Sequence, residues 1–303
     1  MNNVYLRNKD TVNRIMFKTL LALLPLVLAG FYKNGIKLYL NEYVTFYEMF
    51  RPLLFDIVGF LIGIFVNIIY ETIIKRNLKL KEASFSSFHP LYGLLIASLV
   101  SINTKFWLFS AVTFILLLIS KFIKKNNINI IALTALVIIF ISKYYTGFTF
   151  LNLYEQSNSL HLTSIDYLIG RGSGGINTSH VLLLIFSLLI LFNIKAYKKE
   201  IPIIGAIVYS GSMTIYSIIN NELGLVLDNI FANGILFSFI FVATDSLTSS
   251  YTVKGKLIYS LIIGFSTFGL FLVYPPLASL GGIVIASLCH NIIDKIVLKT
   301  MKK

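Results

Sequence analysis

The chain has 303 residues, 56% of them hydrophobic and 13% charged, with a mean hydropathy of +0.81. Soluble domains carry about 25% charged residues and roughly half apolar ones; here the apolar residues gather in repeated long runs, which leaves little room for a soluble enzyme and predicts a polytopic membrane protein. The net charge of +13, from 26 Lys+Arg against 13 Asp+Glu, lies between those runs, where it sets orientation and does not imply nucleic acid.

In chain order the hydropathy predicts ten spans: 15–32, 52–74, 89–104, 106–123, 128–145, 178–194, 201–219, 225–243, 257–274 and 279–297. The first is read as an uncleaved span, because no small-x-small cleavage site follows it. The third begins His89-Pro90 and carries Ser98 and Ser101, which predicts a re-entrant or tilted segment. With the N-terminus in the cytoplasm, 20 of the 26 Lys and Arg fall on the cytoplasmic side. Only Lys33, Lys37, Arg51, Lys105, Lys143 and Arg171 fall outside. Losing one central span would mix the two sets, so the alternation predicts both termini inside.

The expected fold is therefore an all-α integral membrane protein of about ten transmembrane helices, a single membrane domain over 1–303. It divides into a first five-helix half (1–145), an extracytoplasmic loop (146–177) and a second five-helix half (178–303). The 5+5 arrangement, with a polar Gly- or Pro-containing helix in each half, invites an internal-repeat reading of the kind found in transporters. The outer stretch 33–51, "KNGIKLYLNEYVTFYEMFR", alternates aromatic and polar residues and is expected to lie along the interface.

Few acidic residues lie in the spans. Asp56 and Asp228 are expected to face the bundle interior, where each serves either a polar path or a packed hydrogen bond. Glu71 and Asp294 stand near cytoplasmic lysines, and an interfacial ion pair is expected for them. His89, His161, His180 and His290 have no metal-ligand spacing, and no metal site is assigned. Cys289 is the only cysteine, which excludes an internal disulfide and any cysteine-ligated iron–sulfur or zinc site. The run "GRGSGGINTSH", 170–180, puts four glycines and several hydroxyls before a helix; its backbone N–H groups with Arg171 can hold an anion, or it is a plain flexible bend. The run "ATDSLTSSYTVKGK", 243–256, gathers Thr244, Asp245 and Thr248 at a helix end. There they form either a cap or a set of inward-facing oxygens.

Six stretches give the sequence a resemblance to a known family. They are "RNKDTVNRIMFKTLLALLPLVLAGFY" (7–32), "HPLYGLLIASLV" (89–100), "IDYLIGRGSGGINTSHVLLLI" (165–185), "EIPIIGAIVYSG" (200–211), "FIFVATDSLTSSYTVKGKLIYSLIIG" (239–264) and "YPPLASLGGIVIASLCHNIIDKI" (274–296). Together they resemble the RnfD/NqrB family, the flavin-carrying membrane subunits of Rnf/Nqr-type redox-driven ion pumps, and most closely its RnfD branch.

The resemblance implies a multi-pass protein of the bacterial inner (plasma) membrane. It would be non-catalytic alone and work as a subunit of an ion-translocating oxidoreductase complex (a translocase). Electrons would pass through FMN or riboflavin while Na⁺ or H⁺ crosses, beside other membrane subunits of an Rnf-like complex in the lipid bilayer. In the family, FMN is bonded through its phosphate to a threonine closing a Ser-Gly-Ala-Thr tag. This chain reads "SNSLHLTSIDYL", which puts Thr163 near that place without the tag, so covalent FMN is expected to be substoichiometric at most. The cofactor-binding candidates are Thr163, Gly170, Arg171, Gly172, Gly174, Gly175, Thr178 and Ser179, with Thr244, Asp245 and Thr248. The alternatives are a stand-alone transporter or channel for a small solute such as a flavin or its precursor, without redox chemistry, and a structural subunit with no cofactor.

Overall fold

The computed structural model describes residues 11–74, 76, 79–123, 127–146, 164–221 and 226–301, and its elements are helical. The main ones are α1 (Val12–Phe31), α2 (Arg51–Ile73), α3 (His89–Leu99), α4 (Phe106–Phe122), α5 (Ile130–Thr146), α6 (Val181–Phe192), α7 (Glu200–Ile219), α8 (Ile235–Phe237), α9 (Val253–Val273) and α10 (Ala278–Met301). Five helices are long and apolar enough to cross a membrane. They are α1 carried on to Leu40, α2, α7, α9 and α10 with its first-turn extension. The apolar helices α3, α4, α5 and α6 are shorter.

Two expected spans take a different form. The third is an 11-residue helix, α3, about 17 Å long by its rise per residue. That is well short of the roughly 30 Å hydrocarbon core, and the chain leaves it extended at Val100 (φ −77, ψ 158). The stretch expected over 225–243 is broken. A short helix, Val226–Phe231, ends before Asn233 and Gly234, both with positive φ (57 and 67); α8 then runs on as a π-turn over Ser238–Val242. Another π-turn, Tyr32–Ile36, continues α1. Beyond it the aromatic stretch forms two one-turn helices, Lys37–Leu40 and Phe46–Met49. The second is closed by a capping box between Thr45 and Glu48 and leaves Tyr39, Tyr43, Phe46 and Tyr47 exposed.

Large apolar side chains both fill the core, Phe55, Phe109 and Phe237 among them, and cover the outside, while small and polar residues of the spans turn inward. On α2, Leu54, Ile57, Leu61 and Phe65 are exposed, while Asp56, Gly59, Gly63 and Asn67 are buried. Gly59 and Gly63 form a GxxxG step against α3. A Cβ at Gly59 would meet the Gly93 carbonyl oxygen and one at Gly63 the His89 carbonyl oxygen, so the helices meet backbone to backbone. In the second half α9 packs against both α7 and α10. Each broken element is tied at its C-terminal end to a distant linker. Ile176 N–H donates to Val100 O (3.0 Å) and Asn177 N–H to Ser98 O (3.2 Å), while Asn129 Nδ2 donates to Val242 O (2.9 Å). These bonds satisfy carbonyls that a helix end leaves open.

Candidate functional site

The candidate residues fall into two clusters at opposite ends of α1. At its C-terminal end, a cavity of about 680 Å³ is walled by Leu28, Leu38, Ile102, Leu168, Leu182 and Leu183. Its polar lining is Tyr32, Lys33, Asn34, Lys37, Gly170, Arg171 and His180. The π-turn swings Lys33 and Asn34 inward. Lys33 Nζ donates to Gly172 O (2.7 Å) and Ser179 Oγ (2.9 Å), and Asn34 Nδ2 donates to Ile176 O (2.8 Å). Gly170 turns the chain with φ +93 and packs on the His180 ring. Arg171 is ion-paired with Asp166 at 2.5 Å.

The glycine segment itself is a packing element. A Cβ on Gly175 would come within 2.5 Å of Leu99 O, and one on Gly234 within 2.9 Å of Thr178 Oγ1. Gly174 lies against the same Thr178. The N–H groups of Ile176 and Asn177 are spent on α3 carbonyls. Of the candidates here, Gly170 and Arg171 line the cavity, and Gly172 and Ser179 hold Lys33 at its wall. Gly174, Gly175 and Thr178 build the turn behind it. Thr163 lies outside the described residues.

At the other end of α1, Val12, Ile15 and Thr19 join Phe88, Tyr92, Tyr197, Ile240, Thr244 and Asp245 around a cavity of about 190 Å³. Asp245 follows the π-turn that ends α8. Its Oδ1 accepts from Tyr92 Oη (2.8 Å) and its Oδ2 from Thr248 Oγ1 (2.9 Å). Thr248 Oγ1 also accepts from Asn129 Nδ2 (3.1 Å), the amide that ties down Val242 O. Thr244 donates back to Ile240 O (2.8 Å), as does Tyr197 from the α6–α7 connection (2.9 Å). Buried Lys198 donates to Ser249 O (2.8 Å) and Ser249 Oγ (2.7 Å), with its ammonium 4.1 Å from the Tyr251 ring centroid. Burial pulls the Lys198 amine down to about 8, against the opposing pull of the Asp245 and Asp294 carboxylates.

The structure thus brings Thr244, Asp245 and Thr248 together and keeps them apart from the glycine segment. Asp294 takes donors from Ser250 Oγ, Thr252 Oγ1 (2.8 Å) and the Tyr251 amide (3.1 Å), in place of the expected lysine. Lys33, Asn34, Tyr92, Asn129, Asn177 and Lys198 are the contributors that sequence reasoning did not single out. Tyr92 and Asn177 lie inside stretches that carry the family resemblance; Lys198 stands in a basic loop that reads as an orientation signal only.

A flavin is the cofactor the resemblance implies, and the larger cavity suits it. Its volume is within the roughly 300–1,000 Å³ typical of ligand pockets, its walls are aliphatic, and its lining includes three cationic residues. His180 Nε2 is buried there with no hydrogen-bond partner among the described residues. The 190 Å³ cavity is below that range and mostly apolar in its lining. No curated protein matches the chain. The family model described as "NQR2, RnfD, RnfE family" matches residues 1–303, so the chain belongs to that family of membrane subunits of redox complexes.

Proposed function

We propose that the chain is the flavin-bearing membrane subunit of an Rnf-like electron-transport complex, passing electrons through FMN or riboflavin while Na⁺ or H⁺ crosses. The observation that carries this reading, beside the family, is the 680 Å³ cavity with aliphatic walls, three cations and a buried His180 Nε2 that has no hydrogen-bond partner among the described residues. Flavin, when bound, supplies one- and two-electron transfer. The chain's part is to bind and orient it. The leucines exclude water from the ring, Lys33, Lys37 and Arg171 attract a phosphate, and His180 offers a hydrogen bond. Without the Ser-Gly-Ala tag before Thr163, retention is non-covalent.

In this reading the chain has ten membrane segments in two halves with both termini cytoplasmic, and 146–177 faces outside. Single cysteines in a Cys289-free background test it: an impermeant reagent on intact cells labels position 158 and spares position 78, and the reverse pattern inverts the topology.

The function is tested by the visible absorption of the purified protein, which is expected to carry a flavin band released by acid denaturation. The broken elements α3 and α8 also suit a transporter of a small solute. A colourless protein that moves such a solute in proteoliposomes establishes that second reading.

A further inference from the structure

Asp56, on α2, is 3% exposed, and among the described residues its hydrogen-bond donor is a single group, the Asn177 amide. Asn177 Nδ2 lies 2.9 and 3.0 Å from the two carboxyl oxygens and 3.0 Å from Ser98 Oγ, in the last turn of α3. That helix end presents carbonyls, the negative pole of its dipole. Among the described residues, the neighbouring elements bring no cation into contact with it. Arg51 of α2 reaches away to Thr104 O (2.9 Å), Lys33 beyond α1 is held at Gly172 and Ser179, Lys105 before α4 lies over the Tyr145 ring, and Arg171 is paired with Asp166. An ionised carboxylate so placed has no charge to balance it.

The spacing also leaves no gap for a metal ion, because the three polar groups already stand at hydrogen-bond distance from one another's shared donor. A proton needs no such gap. As an acid, Asp56 requires one acceptor for its O–H. Asn177 Oδ1 is buried and has no hydrogen-bond partner among the described residues, lying against Gly30 of α1. Turning that amide over leaves the heavy atoms in place and offers Oδ1 to the acid.

We propose that Asp56 is a proton-binding site of the membrane domain: a neutral carboxylic acid in the packed protein that exchanges its proton with the 680 Å³ cavity. In the release step the Asp56 O–H bond breaks, the proton passes to cavity water, and the Asn177 amide turns back so that its N–H donates to the carboxylate. Asn177 adjoins the cavity wall through its neighbour Ile176, whose carbonyl accepts from Asn34 of that wall. The proposal rests on the ion-coupling reading only for its role in turnover, naming the proton as the ion this carboxyl handles. Its test requires no flavin.

The test is infrared spectroscopy of the purified full chain in lipid vesicles at neutral pH, wild type against Asp56→Asn and Asn177→Ala. The wild type is expected to show a carboxylic-acid carbonyl band that shifts in D₂O, fades on alkaline titration and is lost in Asp56→Asn. In Asn177→Ala the same band is expected at a higher frequency, since its hydrogen bond is gone. Asp56→Asn keeps the shape of the neutral acid and is expected to insert and melt as wild type does. An unchanged acid band in an inserted, folded Asp56→Asn protein would overturn the proposal. So would loss of the wild-type band on adding sodium at constant pH, which would make the site a cation site. A protein lacking flavin but showing the band would remove the redox reading and leave this one standing.

Discussion

Tyr92 on α3 donates its hydroxyl to Asp245, beyond the end of α8, at 2.8 Å. The bond joins the two broken elements of the fold directly. Asn129 adds a second tie from the start of α5, holding both Val242 O and Thr248 Oγ1. Asp245 is thus a shared acceptor that joins a local turn contact, the Leu247 backbone N–H, to the distant Tyr92 hydroxyl.

Tyr92→Phe removes one of the two side-chain donors to this carboxylate. It is expected to lower stability by about 1.5–3 kcal/mol, the range for hydrogen bonds to charged groups. Asp245→Asn keeps the shape and is expected to insert and fold while electron transfer falls at least about tenfold, ~1.4 kcal/mol in barrier. Denaturation in detergent and activity of the purified variants measure both. Normal turnover with a lowered melting temperature in Asp245→Asn would reduce Asp245 to a structural tie.

The α2–α3 crossing is expected to tolerate no side chain at Gly93. A Cβ there would strike the Gly59 backbone carbonyl, which cannot swing aside as a flexible side chain does. Gly93→Ala is expected to lose about 1–3 kcal/mol, the usual penalty of overpacking. Gly269→Ala, where nothing stands within 4 Å, should be near neutral. Folded yield and denaturation midpoints of the pair provide the comparison.

Lys198 makes stability depend on pH in a defined direction. Its folded value of about 8 lies below the ordinary 10.5. Below about pH 8 both folded and unfolded states hold the proton and the full burial penalty is present. Between about 8 and 10.5 only the unfolded state still holds it, so the penalty fades as pH rises. The whole effect is about 3 kcal/mol. The wild type is expected to gain stability against Lys198→Met across that window, and parallel curves would refute the assignment.

Thr163 is expected to carry substoichiometric FMN at most, even when a flavin transferase is co-expressed, because the Ser-Gly-Ala tag is missing. Mass spectrometry of the peptide spanning 156–171 reads this directly. Complete addition of an FMN-phosphoryl mass at Thr163 would reverse the expectation and make the attachment covalent.

The sequence by itself determined the membrane setting and most helix positions, because both follow from local quantities. Apolar runs longer than a bilayer needs can only be helices there, and α2, α4 and α7 lie within a residue of the expected 52–74, 106–123 and 201–219. Pro90, Ser98 and Ser101 were enough to mark the third segment as unusual. What they could not decide is where its open end goes. Ser98, Asp56 and Asn177 are scattered through the chain, and their meeting depends on Gly30, Gly59 and Gly93 letting three backbones close up. The segment "FANGILFSFIFVATDS" likewise reads as the polar, Gly-containing helix of the second half, but within a single expected span, 225–243, and the break at Asn233 and Gly234 is not legible in it. The two positive φ values and the π-turn are held by Ser173 O and Asn129, from linkers far along the chain. Composition acts through solvent and is legible residue by residue. The polar contacts inside a membrane protein act between segments, and only the tertiary structure brings those partners together.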